Sequence, residues 1–253
     1  MDTTLIRRLN ELNRQFYQQV APSFSSSRSY YWQGWNKLVP YLQELQPATE
    51  DQVNILDVGC GNGRFGAFMA GQLPELNFRY FGLDNSSELL KIAKAHEIMN
   101  YIEAHFLELD LVESLLEGNF RSKLKTFRPN FITALGLIHH IPSHQLRQQF
   151  LIQLAEVLQP NGFLVFTTWN FLENNRFKKK IKDPNLFDLD PDELEEHDVI
   201  LDWQRGETAY RYCHYTDQKE LDKLVEATEL KKISQFRADG KSGKLNTYTV
   251  LQK

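Results

Sequence analysis

Residues 55–66, Ile-Leu-Asp-Val-Gly-Cys-Gly-Asn-Gly-Arg-Phe-Gly, constrain this chain more than any other stretch. Ile55, Leu56 and Val58 read as the end of a buried strand, and a helical pattern begins at Arg64. Between them Gly59, Gly61 and Gly63 alternate with Cys60 and Asn62. Glycine in alternate positions lets the backbone take positive φ and lets a ligand lie against the main chain. A strand, a glycine turn and a helix N-terminus together make a site for a nucleotide-type cofactor.

The next strand supports that reading. Arg79-Tyr-Phe-Gly-Leu83 is apolar and runs into Asp84, twenty-one positions after Gly63. In a strand–helix–strand unit this spacing puts a carboxylate at the neighbouring strand's carboxyl end, where it can accept bonds from two ribose hydroxyls. The same carboxylate disfavours a 2′-phosphate by like-charge repulsion. The glycine spacing, Gly-x-Gly-x-Gly rather than Gly-x-Gly-x-x-Gly, is similar to the fingerprint that binds S-adenosyl-L-methionine (SAM). On these residues the chain resembles the class I SAM-dependent methyltransferases. That resemblance implies an α/β fold with a Rossmann-like, seven-stranded sheet and helices on both faces. The plainer alternative is an ordinary doubly wound domain whose glycines only make a turn.

At 253 residues the chain suits one such domain with additions. It holds no run of eighteen apolar residues, so no membrane span is expected. The start, Met-Asp-Thr-Thr-Leu-Ile-Arg-Arg-Leu, lacks a signal-peptide core. Two cysteines, Cys60 and Cys213, make no disulfide framework, which fits a reducing cytosol and a cytoplasmic location. A net charge of −4 argues against strong non-specific nucleic-acid binding but leaves room for a local basic patch.

Taken in order, residues 1–50 form a helical extension or lid and residues 51–253 the methyltransferase domain. Leu5, Leu9, Leu12, Phe16 and Val20 mark an amphipathic helix over 2–19, ended by Ala21-Pro22. Phe24 to Arg28 reads as a polar connector, and a second helix follows over about 29–45. Such helices can lie over the cofactor or simply pack on the sheet edge. Strands are expected at 53–58, 77–83, 102–108, 130–135 and 163–169, with helices at 64–73, from 85 onward, at 111–117 and at 143–158. Residues 170–207 show no core pattern; they read as the main part of an insertion, about 170–212, after strand five. Its basic cluster, Arg176, Lys178, Lys179, Lys180 and Lys182, could contact phosphates or be plain solvated loop. A helix over 217–227 and strands at about 229–237 and 245–252 close the sheet.

The expected cofactor set is Asp57, Gly59, Cys60, Gly61, Asn62 and Gly63 on the first turn, Asp84 and Asn85 after strand two, Asp110 and Leu111 after strand three, and Leu135 at the end of strand four. Asp110 can accept a bond from the adenine amino group or cap the short helix that follows. His139 and His140, at the carboxyl end of the central strand, sit where ligands bind in an open α/β sheet, and they must point in different directions. No metal is expected: the acidic stretch 188–198 lacks closed-site spacing, and Cys60 and Cys213 lack ligand partners in sequence.

Three features narrow the acceptor: Ala21-Pro-Ser-Phe-Ser-Ser-Ser-Arg28, Leu137-Ile-His-His-Ile141, and Asp202-Trp203 ahead of Arg211-Tyr-Cys-His214. Together these are similar to the tRNA wobble-uridine carboxymethyl methyltransferases, which form a methyl ester on a 5-carboxymethyl group. The resemblance implies tRNA as substrate and roles for Arg28, His140, Arg211 and His214 at the modified base. It also implies a small zinc-binding activator protein as a partner. The chain departs in the charge of its insertion and in showing no appended RNA-recognition domain. The chemistry suits those residue types. A carboxylate, with its pKa near ~4, is ionised at neutral pH and needs positioning and a charge partner more than a base. Arginine supplies that partner, with Arg205 in reserve. Two rivals stand beside this: a SAM-dependent methyltransferase acting on a metabolite or lipid, and a SAM-binding regulator without turnover.

Overall fold

The computed structural model describes residues 1–27, 30–45, 52–124 and 126–253. Helix α1 (Thr3–Ser26) starts on Asp2, whose side chain accepts from the Leu5 N–H, and runs straight through Pro22. The expected stop at Ala21-Pro22 is therefore corrected. Serine hydroxyls prolong the helix by bonding back to carbonyls three residues earlier, Ser23 to Val20 at 3.0 Å and Ser26 to Ser23 at 3.1 Å. The second helix expected over 29–45 is also corrected. A 3-10 turn spans Gln33–Lys37, and α2 (Val39–Gln43) begins afresh around Pro40. A proline early in a helix is tolerated because its missing N–H is unneeded there.

The core then alternates. Strand β1 (Val53–Val58) leads to α3 (Arg64–Gln72), and β2 (Phe78–Asp84) leads to α4 (Ser87–Lys94). Strand β3 (Glu103–Glu108) is followed by α5 (Leu111–Leu116) and α6 (Phe120–Lys123), then β4 (Phe131–Ala134), α7 (His144–Val157) and β5 (Phe163–Trp169). Next come α8 (Asn175–Lys178), β6 (Ile181–Lys182), β7 (Asp198–Arg205) and β8 (Glu207–His214). Helix α9 (Gln218–Glu226), β9 (Lys231–Ala238) and β10 (Asn246–Gln252) complete the chain.

Seven strands form one sheet in the order β3-β2-β1-β4-β5-β10-β9. The first five are parallel, and β10 runs antiparallel to both β5 and β9. Alternate residues serve opposite faces. Leu56, Val58, Ile132 and Phe166 join the core under α5, α7 and α9, whereas Val53, Ile55, Phe131 and Val165 join the core with α3 and the Trp35 region. The direction of chain progression reverses between β1 and β4. In open α/β sheets that switch point opens a crevice beyond the strand carboxyl ends.

The insertion folds, contrary to expectation. Strands β6, β7 and β8 make a second, antiparallel sheet, with Gly206 at φ +87° turning the β7–β8 hairpin. Its pattern is masked in the sequence because both faces are covered. Ile200 and Tyr212 pack on Leu5 and Leu9 of α1, while Leu201 and Cys213 pack on Trp169 and Phe171. A strand buried on both sides loses its apolar–polar alternation. No described helix is long and apolar enough to cross a membrane.

Candidate active site

A cleft of about 510 Å3 lies at the switch point, lined by the glycine turn, the ends of β2 and β4, helix α1 and the β7–β8 hairpin. The turn is built by three left-handed glycines, Gly59 at φ +73°, Gly61 at +54° and Gly63 at +72°. The backbone N–H groups of Gly59 and Cys60 both donate to the Leu83 carbonyl, at 2.8 and 2.9 Å, which ties the turn to β2. A Cβ on Gly63 would come within 2.9 Å of the Ala93 side chain, and one on Gly59 within 3.0 Å of Leu137. A Cβ on Gly61 would meet nothing within 4 Å. Positive φ disfavours a side chain at all three; at Gly63 a Cβ would also collide with Ala93, whereas Gly61 leaves open space beside bare backbone.

Asp84 lines the same cleft. One carboxylate oxygen accepts from the Gly61 N–H at 2.8 Å and the other from the Ser86 N–H at 2.9 Å. Each oxygen keeps a lone pair for a further donor. Burial pushes the Asp84 pKa up, against those backbone bonds. Behind the turn, Asp57 accepts from the Tyr80 hydroxyl at 2.6 Å and the Thr133 hydroxyl at 2.7 Å, and burial pushes it up to about 6. Open backbone at a turn and a carboxylate with spare acceptors beside it fit an adenosyl ligand such as SAM.

Of the other expected cofactor residues, Cys60, Asn62, Asn85, Leu111 and Leu135 all line the cleft. Asn62 also donates to the Ser25 hydroxyl at 2.9 Å and so joins the turn to α1. Asp110 takes the capping geometry: it accepts from the Glu113 N–H at 3.0 Å and from the Asn10 side chain at 3.0 Å. Its carboxylate is held by α5 and α1 and is not among the cleft-lining residues.

The far wall carries His140 and Arg211. His140 Nδ1 lies 3.0 Å from the Tyr212 carbonyl, which can only accept, so Nδ1 carries the proton. Nε2 lies 2.9 Å from the Tyr17 hydroxyl. Arg211 is 7% exposed, with its guanidinium 5.0 Å from both the Phe16 and the Trp169 rings. Its Nε has no hydrogen-bond partner, and among the described residues no carboxylate lies within ion-pairing distance of its guanidinium. A guanidinium held between two rings at the cleft wall, with no carboxylate partner among the described residues, is a seat for an anion.

His214 is corrected as a base-contacting residue. It does not line the cleft. Both ring nitrogens face carboxylates, Nδ1 to Asp198 at 2.7 Å and Nε2 to Glu220 at 2.6 Å. Glu220 also binds the fully buried Arg147 of α7 at 2.8 Å, and Arg147 reaches Glu195 at 2.9 Å. Burial alone pushes the Glu220 carboxyl up, but His214 and Arg147 outweigh it and hold it well below the usual range. This network fastens the hairpin to α7 and α9. Arg28 lies outside the described residues.

Two groups of possible metal ligands occur among the described residues: His139, His140 and Cys213, and Glu195, Asp198 and His214. In the first, the Cys213 thiol is pushed up to about 12 by burial and so is not a thiolate near neutral pH. In the second, every residue is already engaged in the network just described.

Tyr17 and Trp169 line the cleft without having been marked as site residues by the sequence, and Trp203 of the Asp202-Trp203 pair lines it with them. The sequence does place Asn10 and Asn13 beside the apolar stripe of α1, and the structure buries both, at 7% and 4% exposed, against polar partners. Asn13 donates to the His140 carbonyl at 3.3 Å.

A sheet of this order with its cleft at the glycine turn defines a class I SAM-dependent methyltransferase, and a solved example from Methanosarcina mazei shares the fold. Its TM-score is 0.56 at 18% identity, with 83% of this chain and 98% of that one covered. A family model described as a methyltransferase domain matches residues 24–235, and the chain belongs to that family. Two curated relatives are named tRNA (carboxymethyluridine(34)-5-O)-methyltransferase. The Arabidopsis thaliana protein is 28% identical over 155 residues, 60% of this chain and 31% of its own length. The Schizosaccharomyces pombe protein is 24% identical over 235 residues, 86% and 87% of the two lengths. A ubiquinone biosynthesis O-methyltransferase from Alkalilimnicola ehrlichii is 25% identical over 169 residues, 62% of each. The chain thus spans about a third of the length of the Arabidopsis relative.

Proposed function

We propose that this methyltransferase esterifies a carboxylate, that of 5-carboxymethyluridine at the tRNA wobble position. The observation that carries the reading is Arg211, a buried guanidinium without a counter-ion among the described residues, in the cleft that also holds the glycine turn. Leaving a cation so placed is costly unless an anion arrives with the substrate. The glycine turn and Asp84 would hold SAM, which would supply a methyl group on a sulfonium for the carboxylate oxygen, the carbon–sulfur bonding pair leaving with the sulfur. No proton moves in that step. His140 suits it, because its Nδ1 proton is committed to a carbonyl and its Nε2 to the Tyr17 hydroxyl, leaving it to hold the wall rather than act as a base. Asp84 would accept the ribose hydroxyls and Gly61 would let the cofactor lie on the backbone. The extension supports its reading as a lid, since α1 brings Asn13 and Tyr17 to the cleft.

A metabolite acceptor is the second reading, supported by the ubiquinone relative. The deciding experiment incubates the protein with labelled SAM and either tRNA bearing 5-carboxymethyluridine or a small-metabolite extract, followed by nucleoside mass spectrometry. A methyl ester on the wobble nucleoside is expected. Label confined to the metabolite fraction overturns the tRNA reading.

A further inference from the structure

We propose that the cleft mouth built by α8, β6 and the β7–β8 turn seats the phosphates flanking the modified nucleotide, gripping a single-stranded RNA segment. The inference rests on the function proposed above and names the surface the polymer touches. The chain carries a net charge of −4, yet Arg176, Lys178, Lys179, Lys180 and Lys182 fall within seven positions. Arg176, Lys180 and Arg205 line the cleft. Asp202 is held by both Lys180 at 3.1 Å and Lys182 at 3.0 Å, and even with Asp183 beside Lys182 and Glu207 opposite Arg205 the cations outnumber the carboxylates. Among the described residues no carboxylate lies within 4.0 Å of the side-chain cations of Arg176, Lys178, Lys179 or Arg205.

Rings interleave with these cations. The Arg205 guanidinium sits 5.5 Å from the Trp203 ring, whose indole N–H donates to the Arg205 carbonyl at 3.1 Å. Arg176 lies 5.5 Å from the Phe177 ring, and Phe177 stands edge-on to Trp169 at 4.8 Å. Trp169 is itself one wall of the Arg211 seat. A relay of touching groups therefore runs from an exposed arginine at the surface to the buried anion seat. Alternating cations and ring faces are the means by which proteins hold single strands, charge for phosphates and faces for bases. A buried seat in a cleft of about 510 Å3 admits one base-sized group and not a duplex, so the base must arrive unstacked. Its phosphates then remain outside, at the cationic mouth.

The test uses the full chain and tRNA bearing 5-carboxymethyluridine, with affinity measured across a range of salt concentrations. The double variant Arg176→Glu, Arg205→Glu is expected to bind at least roughly tenfold more weakly. Its slope of log affinity against log salt should fall by about 1.4, from two lost single-strand phosphate contacts. The neutral pair Arg176→Gln, Arg205→Gln should show the same slope change with a smaller loss. SAM affinity, staying within about twofold, reports that the variants are folded. Affinity and slope equal to those of the parent overturn the proposal, as does a parent that binds no tRNA. A parent that binds through this mouth but leaves the carboxymethyl group unesterified overturns the functional reading alone.

Discussion

The glycine turn after β1 and the β7–β8 hairpin face one cleft, yet they hold their groups by different means. The turn works over a short span of sequence: three left-handed glycines, two N–H groups on the Leu83 carbonyl, and Asp84 fixed by its neighbours' backbone. The hairpin works over long range. It is held by α1 on one face, by Trp169 and Phe171 on the other, and by His214 bonded to Glu220 of α9. Backbone geometry builds the cofactor half, and side-chain packing between distant elements builds the half assigned to the acceptor. Lesions in the two halves should therefore separate cleanly.

The largest separation is expected from Arg211→Met. Methylation of the carboxylate should fall by about a thousandfold, roughly 4 kcal/mol of barrier, while calorimetry shows SAM binding within about twofold of the parent. Thermal stability should hold or rise, since an unpaired buried charge is replaced by an apolar chain of similar length. Full activity in this variant would remove the anion seat from the account.

Removing the fastening comes next. Burial pulls the His214 pKa down, but hydrogen bonds to Asp198 and Glu220 outweigh it and leave it raised above 6.5. A raised pKa contributes stability that is complete below the unfolded value of about 6.5 and fades as pH climbs through the folded one. His214→Asn should thus lose about 3 kcal/mol on the acid side of that window. The gap to the parent should narrow toward higher pH in denaturant titrations. A gap that stays constant with pH would show that the charged pairing contributes nothing.

Asp84→Ala should act on the other half, weakening SAM by roughly fiftyfold through two hydrogen bonds to a charged acceptor, with tRNA affinity unmoved. Equal SAM binding by parent and variant would cancel the ribose assignment. The smallest effect is expected from Tyr17→Phe, which deletes the hydroxyl bonded to His140. Turnover should drop about fivefold, the worth of one hydrogen bond, and initial rates at saturating SAM would measure it. A drop of many hundredfold would give Tyr17 a direct part in the transfer.

Much of the cofactor half was legible because its signals are local. Gly59, Gly61, Gly63 and Asp84 fall at spacings fixed by one strand–helix–strand unit, and the alternation of Leu56 and Val58 against Val53 and Ile55 places the strand between two apolar layers. Asp110 shows the limit of such reading: the same carboxylate suits a ligand or a helix cap, and only Asn10, a hundred positions away, reveals that α1 and α5 hold it. The hairpin carries no strand signal in the sequence because strands covered on both faces lose their period. Locally, proline signals a stop for helix α1, whereas its serine back-bonds and the packing of Val20 with Ala209 of β8 carry it on to Ser26.

The amino-acid order by itself marked the core strand and helix segments and the cofactor turn, since these follow from periodicity and glycine freedom over short spans. Only the tertiary structure decided that Arg211 stands between Phe16 and Trp169 with no carboxylate partner among the described residues, while His214 is locked between two carboxylates. The two residues lie three apart on one strand, and nothing in their types distinguishes a waiting cation from a fastened one. That difference arises from which distant chains fold against each side of β8, a matter of long-range packing that no local pattern encodes.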